Sequence, residues 1–169
     1  MNWATLIYQI PEELQKSRMV VWRKLKMITA LNVLQSIWIL PESKDAEFVL
    51  KSLEKRINED GAKSVYCVTV IEDDGKNQKL ISCFNGERKQ DYKKFIDKCN
   101  DFEQEIRYKV KANYTYTEVK KDEREIKKLH KWLNKIIKRD YFDCSLKFEA
   151  IGKLEKSEEL FNRLGIPHN

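Results

Sequence analysis

The residues of this chain that could do chemistry are mostly cations. Between Lys16 and Lys26 stand Lys16, Arg18, Arg23, Lys24 and Lys26, with no acid among them. On a helix, Lys16, Met19, Arg23 and Lys26 share one side while Val21, Leu25 and Ile28 point to the opposite one. Such a face can neutralise phosphates, giving an affinity that falls with salt and carries no sequence choice. These five residues are the candidate nucleic-acid contacts, and an ordinary solvated helix face is the competing account.

A second basic run holds Lys120, Lys121, Arg124, Lys127, Lys128, Lys131, Lys135, Lys138 and Arg139, with Asp122, Glu123 and Glu125 in its first turns. Acids early and bases late suit the helix dipole, and i,i+4 pairs between them account for the pattern without a ligand. The tryptophans Trp3, Trp22, Trp38 and Trp132 read as core anchors, since three of them fall within apolar periodic segments.

Nothing in the chain assembles into a catalytic centre. His130 stands among lysines with no His or Cys one turn away, and His168 lies in the tail. Cys67, Cys83, Cys99 and Cys144 include no C-x-x-C pair and read as free thiols, buried or idle. No phosphate-cradling glycine loop and no nucleophile elbow occurs, so neither an enzyme nor a cofactor nor a metal is expected.

The elements that must position these residues follow from periodicity. The apolar run Trp3 to Ile10 is a strand closed by Pro11, and Ser17 is the expected cap of the basic helix. Ala30 to Leu40 suits an extended segment or a hairpin. A helix capped near Ser43 to Asp45 carries Phe48, Val49, Leu53 and Ile57 on one face and ends at Asp60-Gly61, before the β-branched strand Ser64 to Ile71.

That order of elements is what a ferredoxin-like antiparallel sheet with two helices requires. The polar stretch from Glu72 to Asn77 is the expected boundary, and Asn85 or Gly86 the expected start of the next helix. Beyond it Tyr92, Phe95, Ile96, Cys99, Phe102, Ile106 and Val110 follow helical spacing. A second helix has Val119, Ile126, Leu129, Leu133, Ile136 and Ile137, and a third has Phe148, Ile151, Leu154, Phe161 and Leu164 before Gly165. The link Asn113 to Thr117 leaves a short strand open. The fold class is therefore α+β, a ferredoxin-like domain over 1–75 followed by an all-helical region over 76–169.

The net charge of +6 and the pI near 9.0 favour anionic partners. The opening lacks a basic n-region and no apolar stretch approaches the roughly 20 residues a bilayer needs, so a cytoplasmic protein without a membrane partner is expected.

Three strings carry a resemblance: Leu6-Ile7-Tyr8-Gln9-Ile10-Pro11, then Ser17-Arg18-Met19-Val20-Val21-Trp22-Arg23-Lys24-Leu25-Lys26, then Leu34-Gln35-Ser36-Ile37-Trp38-Ile39-Leu40-Pro41. Together they resemble the N-terminal domain of the chromate-resistance protein ChrB. Phe84-Asn85, Cys99-Asn100-Asp101-Phe102, Lys131-Trp132-Leu133-Asn134-Lys135-Ile136 and Arg139-Asp140-Tyr141-Phe142 look like the same family, so the likeness spans nearly the whole chain. It implies a DNA-binding regulator of transcription linked to chromate resistance, and a homodimer through sheet or helix faces is open to it.

Chromate is a tetrahedral dianion whose site would want Arg forks, and Arg18, Arg23 and Arg139 are the candidates for such oxyanion binding. A non-enzymatic protein-interaction or oxyanion-sensing module is thus the alternative to DNA binding. The element order is also distantly similar to the small CRISPR-adaptation nucleases and to the C-terminal domain of PaaX-type repressors. Those nucleases hold a divalent metal with a carboxylate at the end of the first strand, where this chain has the neutral Gln9.

Overall fold

The structure, a computed structural model, describes residues 1–112 and 114–164. Asn113 in the expected link, Gly165 as a helix stop and His168 therefore lie outside the described residues. The elements run β1 (Asn2–Gln9), a 3-10 turn (Glu12–Leu14), α1 (Gln15–Met27), β2 (Leu31–Leu34), β3 (Ile37–Pro41), α2 (Lys44–Glu59) and β4 (Lys63–Val70). Three helices follow, α3 (Asp74–Lys111), α4 (Tyr116–Ile137) and α5 (Lys147–Leu164). The chain divides into two compact units, Met1–Phe84 and Asn85–Asn169.

The first unit is an antiparallel sheet in the order β2-β3-β1-β4, with β1 paired to β3 on one side and to β4 on the other. That is the strand order of a ferredoxin-like sheet, reached because each helix returns the chain past a neighbouring strand. α2 packs on β1 and β4 and touches α1. Ala4, Leu6, Val21, Leu25, Leu40, Leu50 and Ile57 form the core of this layer, all nearly inaccessible to solvent.

The buried stripe of α2 is Ala46, Leu50, Leu53 and Ile57. Phe48, expected on it, is 76% exposed, because two residues from Ala46 is about 200° around a helix. Ser43 caps α2 as expected by accepting from the Ala46 amide at 3.1 Å. Ser17 is not the cap of α1. The 3-10 turn runs straight into that helix, so Ser17 lies inside it and donates to Asp60 Oδ2 at 2.6 Å instead, tying α1 to the end of α2.

α3 begins at Asp74, about three turns before the expected Asn85 or Gly86, so the polar stretch is not a loop throughout. Asp73 is the reason. Its Oδ1 accepts from the Lys76 amide and its carbonyl from the Asn77 amide, which satisfies the exposed donors of a helix start. Asn77 is then buried, accepting from the Trp3 indole N–H at 2.9 Å and donating to the Ile71 carbonyl at 2.8 Å. Trp3 also stacks on Phe84 with 5.8 Å between ring centroids.

In the second unit Tyr92, Phe95, Cys99, Phe102 and Ile106 on α3 meet Ile126, Leu129, Leu133 and Ile136 on α4, and Ala150 and Leu154 on α5. Val110, expected with the α3 stripe, is 38% exposed, and Phe148, expected with that of α5, is 78% exposed. The buried stripe of α5 passes through Ala150, Leu154, Ser157 and Leu160, and Phe148 lies on its far side. Thr115 and Glu118 form a reciprocal capping box that starts α4, so the link left open as a strand is a helix cap from Thr115 onward.

Candidate nucleic-acid interface

α1 buries Ser17, Val21 and Leu25, and its sequence from Gln15 to Met27 holds no acid. Lys16, Arg18, Arg23, Lys24 and Lys26 are all exposed on the remaining surface. Lys16, Arg23 and Lys24 form no ion pair among the described residues. They do not act as one cluster, however. At 100° per residue Arg18 and Arg23 are about 140° apart around the helix.

Arg18 and Lys26 face the β2–β3 hairpin, where Tyr8, Arg18, Met19, Trp22, Lys26, Asn32, Gln35 and Trp38 line a cleft of about 560 Å³. Trp22 sits one turn from Arg18 and one turn from Lys26. Its side is 46% exposed, so the expectation that the tryptophans are core anchors fails at this residue. Trp3 and Trp38 meet that expectation, and Trp132 packs edge-on against Phe95 at 5.3 Å.

The walls of the cleft are braced. The Trp38 indole N–H donates to the Tyr8 hydroxyl at 3.2 Å, and Lys26 Nζ lies 5.7 Å from the Trp38 ring centroid. Arg18 donates to the Ile10 carbonyl at 3.0 Å, and the Asn32 amide spans the hairpin to the Leu34 and Ile37 carbonyls. An exposed indole flanked by two cations can hold a flat π-system, a phosphate or a compact oxyanion. No side chain there is placed as a nucleophile beside a base. The signal for the cleft was available in the spacing Arg18, Trp22, Lys26, which is a single ridge of a helix, but Trp22 also adjoins Val21 and so read as core.

Arg139, the third candidate fork, belongs to the second unit and donates from Nε to the Lys135 carbonyl at 2.9 Å. In the run around it, Glu123 is paired with Lys120 at 3.1 Å and Lys127 at 2.9 Å, and these bonds hold its carboxyl below the usual range. Glu125 pairs with Lys128 at 3.0 Å. Asp122 is turned inward, 3% exposed, where it accepts from Lys109 at 2.8 Å and from the Tyr114 hydroxyl at 2.7 Å. Burial works against the charge of Lys109, yet its bonds to Asp122 and Glu105 outweigh it and raise its pKa.

The four cysteines form no disulfide, and burial pushes the Cys99 thiol up to about 11, which keeps it protonated and unreactive at neutral pH. Gln9 closes β1 as an exposed amide opposite Lys63. Among the described residues no three His, Cys, Asp or Glu side chains gather as a metal site, and no helix is long and apolar enough to cross a membrane.

A family model described as "Protein ChrB, N-terminal" matches residues 18–165. The chain belongs to the ChrB N-terminal family. No curated protein and no solved structure matches it. The ChrB N-terminal match opens at Arg18, so it takes in Trp22, Arg23, Lys24 and Lys26 and leaves Lys16 just outside. It also covers the whole of α4 with its basic run.

Proposed function

We propose that this protein is a non-catalytic, DNA-binding transcriptional regulator linked to chromate or oxyanion resistance, with α1 laid against phosphates. The observation that carries this is the acid-free α1, whose Lys16, Arg23 and Lys24 are exposed without an ion pair among the described residues. Membership of the ChrB N-terminal family supports the link to chromate resistance. Contacts of this kind position a protein on the duplex and supply salt-dependent affinity.

A second use of the same region is favoured by the cleft. Arg18 and Lys26 supply two cations beside the Tyr8 hydroxyl, and a tetrahedral dianion could be held between them. Occupation of that cleft would then compete with the phosphate backbone for α1, which is how an oxyanion could release the protein.

The test is fluorescence anisotropy against the protein's own upstream duplex and a scrambled one, with and without chromate, for the native chain and for Arg23→Glu/Lys26→Glu. Expected are sequence-dependent binding released by chromate, and a loss of about a hundredfold or more in the double variant with its melting temperature kept, each lost phosphate contact being worth about tenfold at low salt. Binding unchanged in the variant removes α1 from the interface, and binding indifferent to both sequence and chromate removes regulation.

A further inference from the structure

The basic run on α4 has a property that its composition conceals. Lys121, Arg124, Lys128, Lys131, Lys135 and Lys138 follow one another at spacings of three and four residues, so they lie on one ridge of the helix. All six are exposed. The buried stripe, Asp122, Ile126, Leu129, Leu133 and Ile136, repeats with the same rhythm on the opposite side. At a rise of 1.5 Å per residue the ridge is about 25 Å long.

One carboxylate, Glu125, stands beside that ridge, one turn from Lys121 and from Lys128, and Lys98 of α3 also reaches it at 3.9 Å. Glu118 is occupied in the cap with Thr115, and Asp122 points into the core toward Lys109 and Tyr114. Glu123 holds Lys120 and Lys127, which are off the ridge, and Glu125 reaches one ridge residue, Lys128. From Ile126 to Arg139 the sequence has no acid at all, and Asp140 accepts from the Tyr92 hydroxyl and the Cys144 amide. Lys121, Arg124, Lys131, Lys135 and Lys138 form no ion pair among the described residues.

Pairing cannot account for an arrangement that leaves most of its members unpaired. Successive like charges three and four residues apart destabilise a helix by a few tenths of a kcal/mol per pair. The helix dipole offsets that only in the last turn, which covers Lys135 and Lys138 but not Arg124 or Lys131. A linear polyanion offsets it along the full length.

We infer that the outer ridge of α4 is a binding surface for the phosphate backbone of duplex DNA, contacting it through Lys121, Arg124, Lys128, Lys131, Lys135 and Lys138. Five of the six are lysines, compact point charges suited to phosphates met at variable angles. Trp132, one turn from Lys128 and from Lys135, is half-buried against Phe95, so it is not a free aromatic anchor of the kind on which protein interfaces depend. A lipid surface would need an exposed apolar flank, and the apolar side of α4 is buried in the second unit. The inference deepens the DNA-binding function proposed above by adding a contact surface on the unit that does not contain α1.

The experiment compares the native chain with Lys131→Gln/Lys135→Gln and Lys131→Glu/Lys135→Glu in duplex anisotropy over a range of salt, beside the α1 double variant and with anionic vesicles as a separate titrant. The neutral pair should lower affinity about 100-fold near 50 mM salt and reduce the slope of log K against log salt by about two, with the melting temperature kept. Native slope and affinity in both α4 variants overturn the ridge while leaving the regulator standing. Loss in the α4 variants together with equal binding of both duplex sequences and no response to chromate supports the ridge and overturns the regulator. Binding to vesicles but to no duplex overturns the ridge.

Discussion

α1 and α4 both carry an excess of positive charge but hold it in opposite ways. α1 has no acids, and its bases spread around the helix, two of them turning toward an exposed indole in a cleft. α4 has acids in every part of its first half, yet each is drawn inward, into the cap or sideways, so its bases align. The net charge of a segment therefore says little about the surface it presents. Where its carboxylates are spent decides that, and this is a matter of tertiary contacts.

The alignment of bases on α4 depends most on the buried carboxylate of Asp122. The carboxylate charge of Asp122 lies 2.8 Å from Nζ of Lys109, whose side chain is 11% exposed. Lys109→Met leaves that charge with only the Tyr114 hydroxyl, and breaking a buried pair by removing one partner costs about 3 kcal/mol. Thermal unfolding of the variant should show a second unit weakened by about that much. A change below about 0.5 kcal/mol would mean that water replaces Lys109 beside Asp122 at little cost, and that the inward turn of α4 is held by its apolar stripe alone.

The strands and most helices are legible because periods of two and of 3.6 are properties of local sequence, as in SVYCVTVI and in the Tyr92 to Ile106 stripe. Two things are not. The start of α3 was hidden because Asp73, Asp74, Gly75 and Asn77 are turn formers in isolation, and only a Trp3 indole brought from the other end of the unit makes Asn77 a buried anchor. Trp22 is exposed although apolar bulk predicts burial on average, because its position one step off the Val21 to Leu25 stripe decides the matter. The five bases of α1 were visible as exposed, but their division between a cleft and an open face was not, since the hairpin supplies the other wall.

Acid should weaken the start of α4 more gently. Lys109 holds the Glu105 carboxyl down, the Thr115 amide and hydroxyl hold that of Glu118 down, and Lys127 with Lys120 hold that of Glu123 down. A carboxylate with a depressed folded pKa contributes stability above its unfolded value, near 4.5, and loses it as pH falls through the folded one. Hydrogen exchange in the first turns of α4 should accelerate as pH is lowered below about 4.5, after allowance for the intrinsic rate. Protection that persists well below that point would show that the caps and pairs around Glu118 and Glu123 contribute little to holding the helix start.

The smallest effect concerns how α1 ends, beside Lys26 and the cleft. Thr29 and Ala30 donate to the Lys26 and Leu25 carbonyls, and at the end of α2 Gly61 and Ala62 donate in the same pattern to Asn58 and Ile57. This closure places one residue in the left-handed region, at φ 86° for Gly61 and φ 56° for Thr29. Glycine takes that conformation freely, whereas a side chain costs about 1–2 kcal/mol there, and the buried Thr29 hydroxyl has no hydrogen-bond partner among the described residues. Thr29→Gly should therefore raise stability by about 0.5–1 kcal/mol, the relief being partly offset by the freedom glycine adds to the unfolded chain. Gly61→Ala should lower it by about 1 kcal/mol for the reverse reason, since its new methyl group would meet nothing within 4 Å and only the backbone would object. Chemical denaturation of the two variants measures both signs. A loss of stability in Thr29→Gly would mean that the packing of the Thr29 methyl group outweighs the backbone strain, and that the end of α1 is held by its side chains rather than in spite of them.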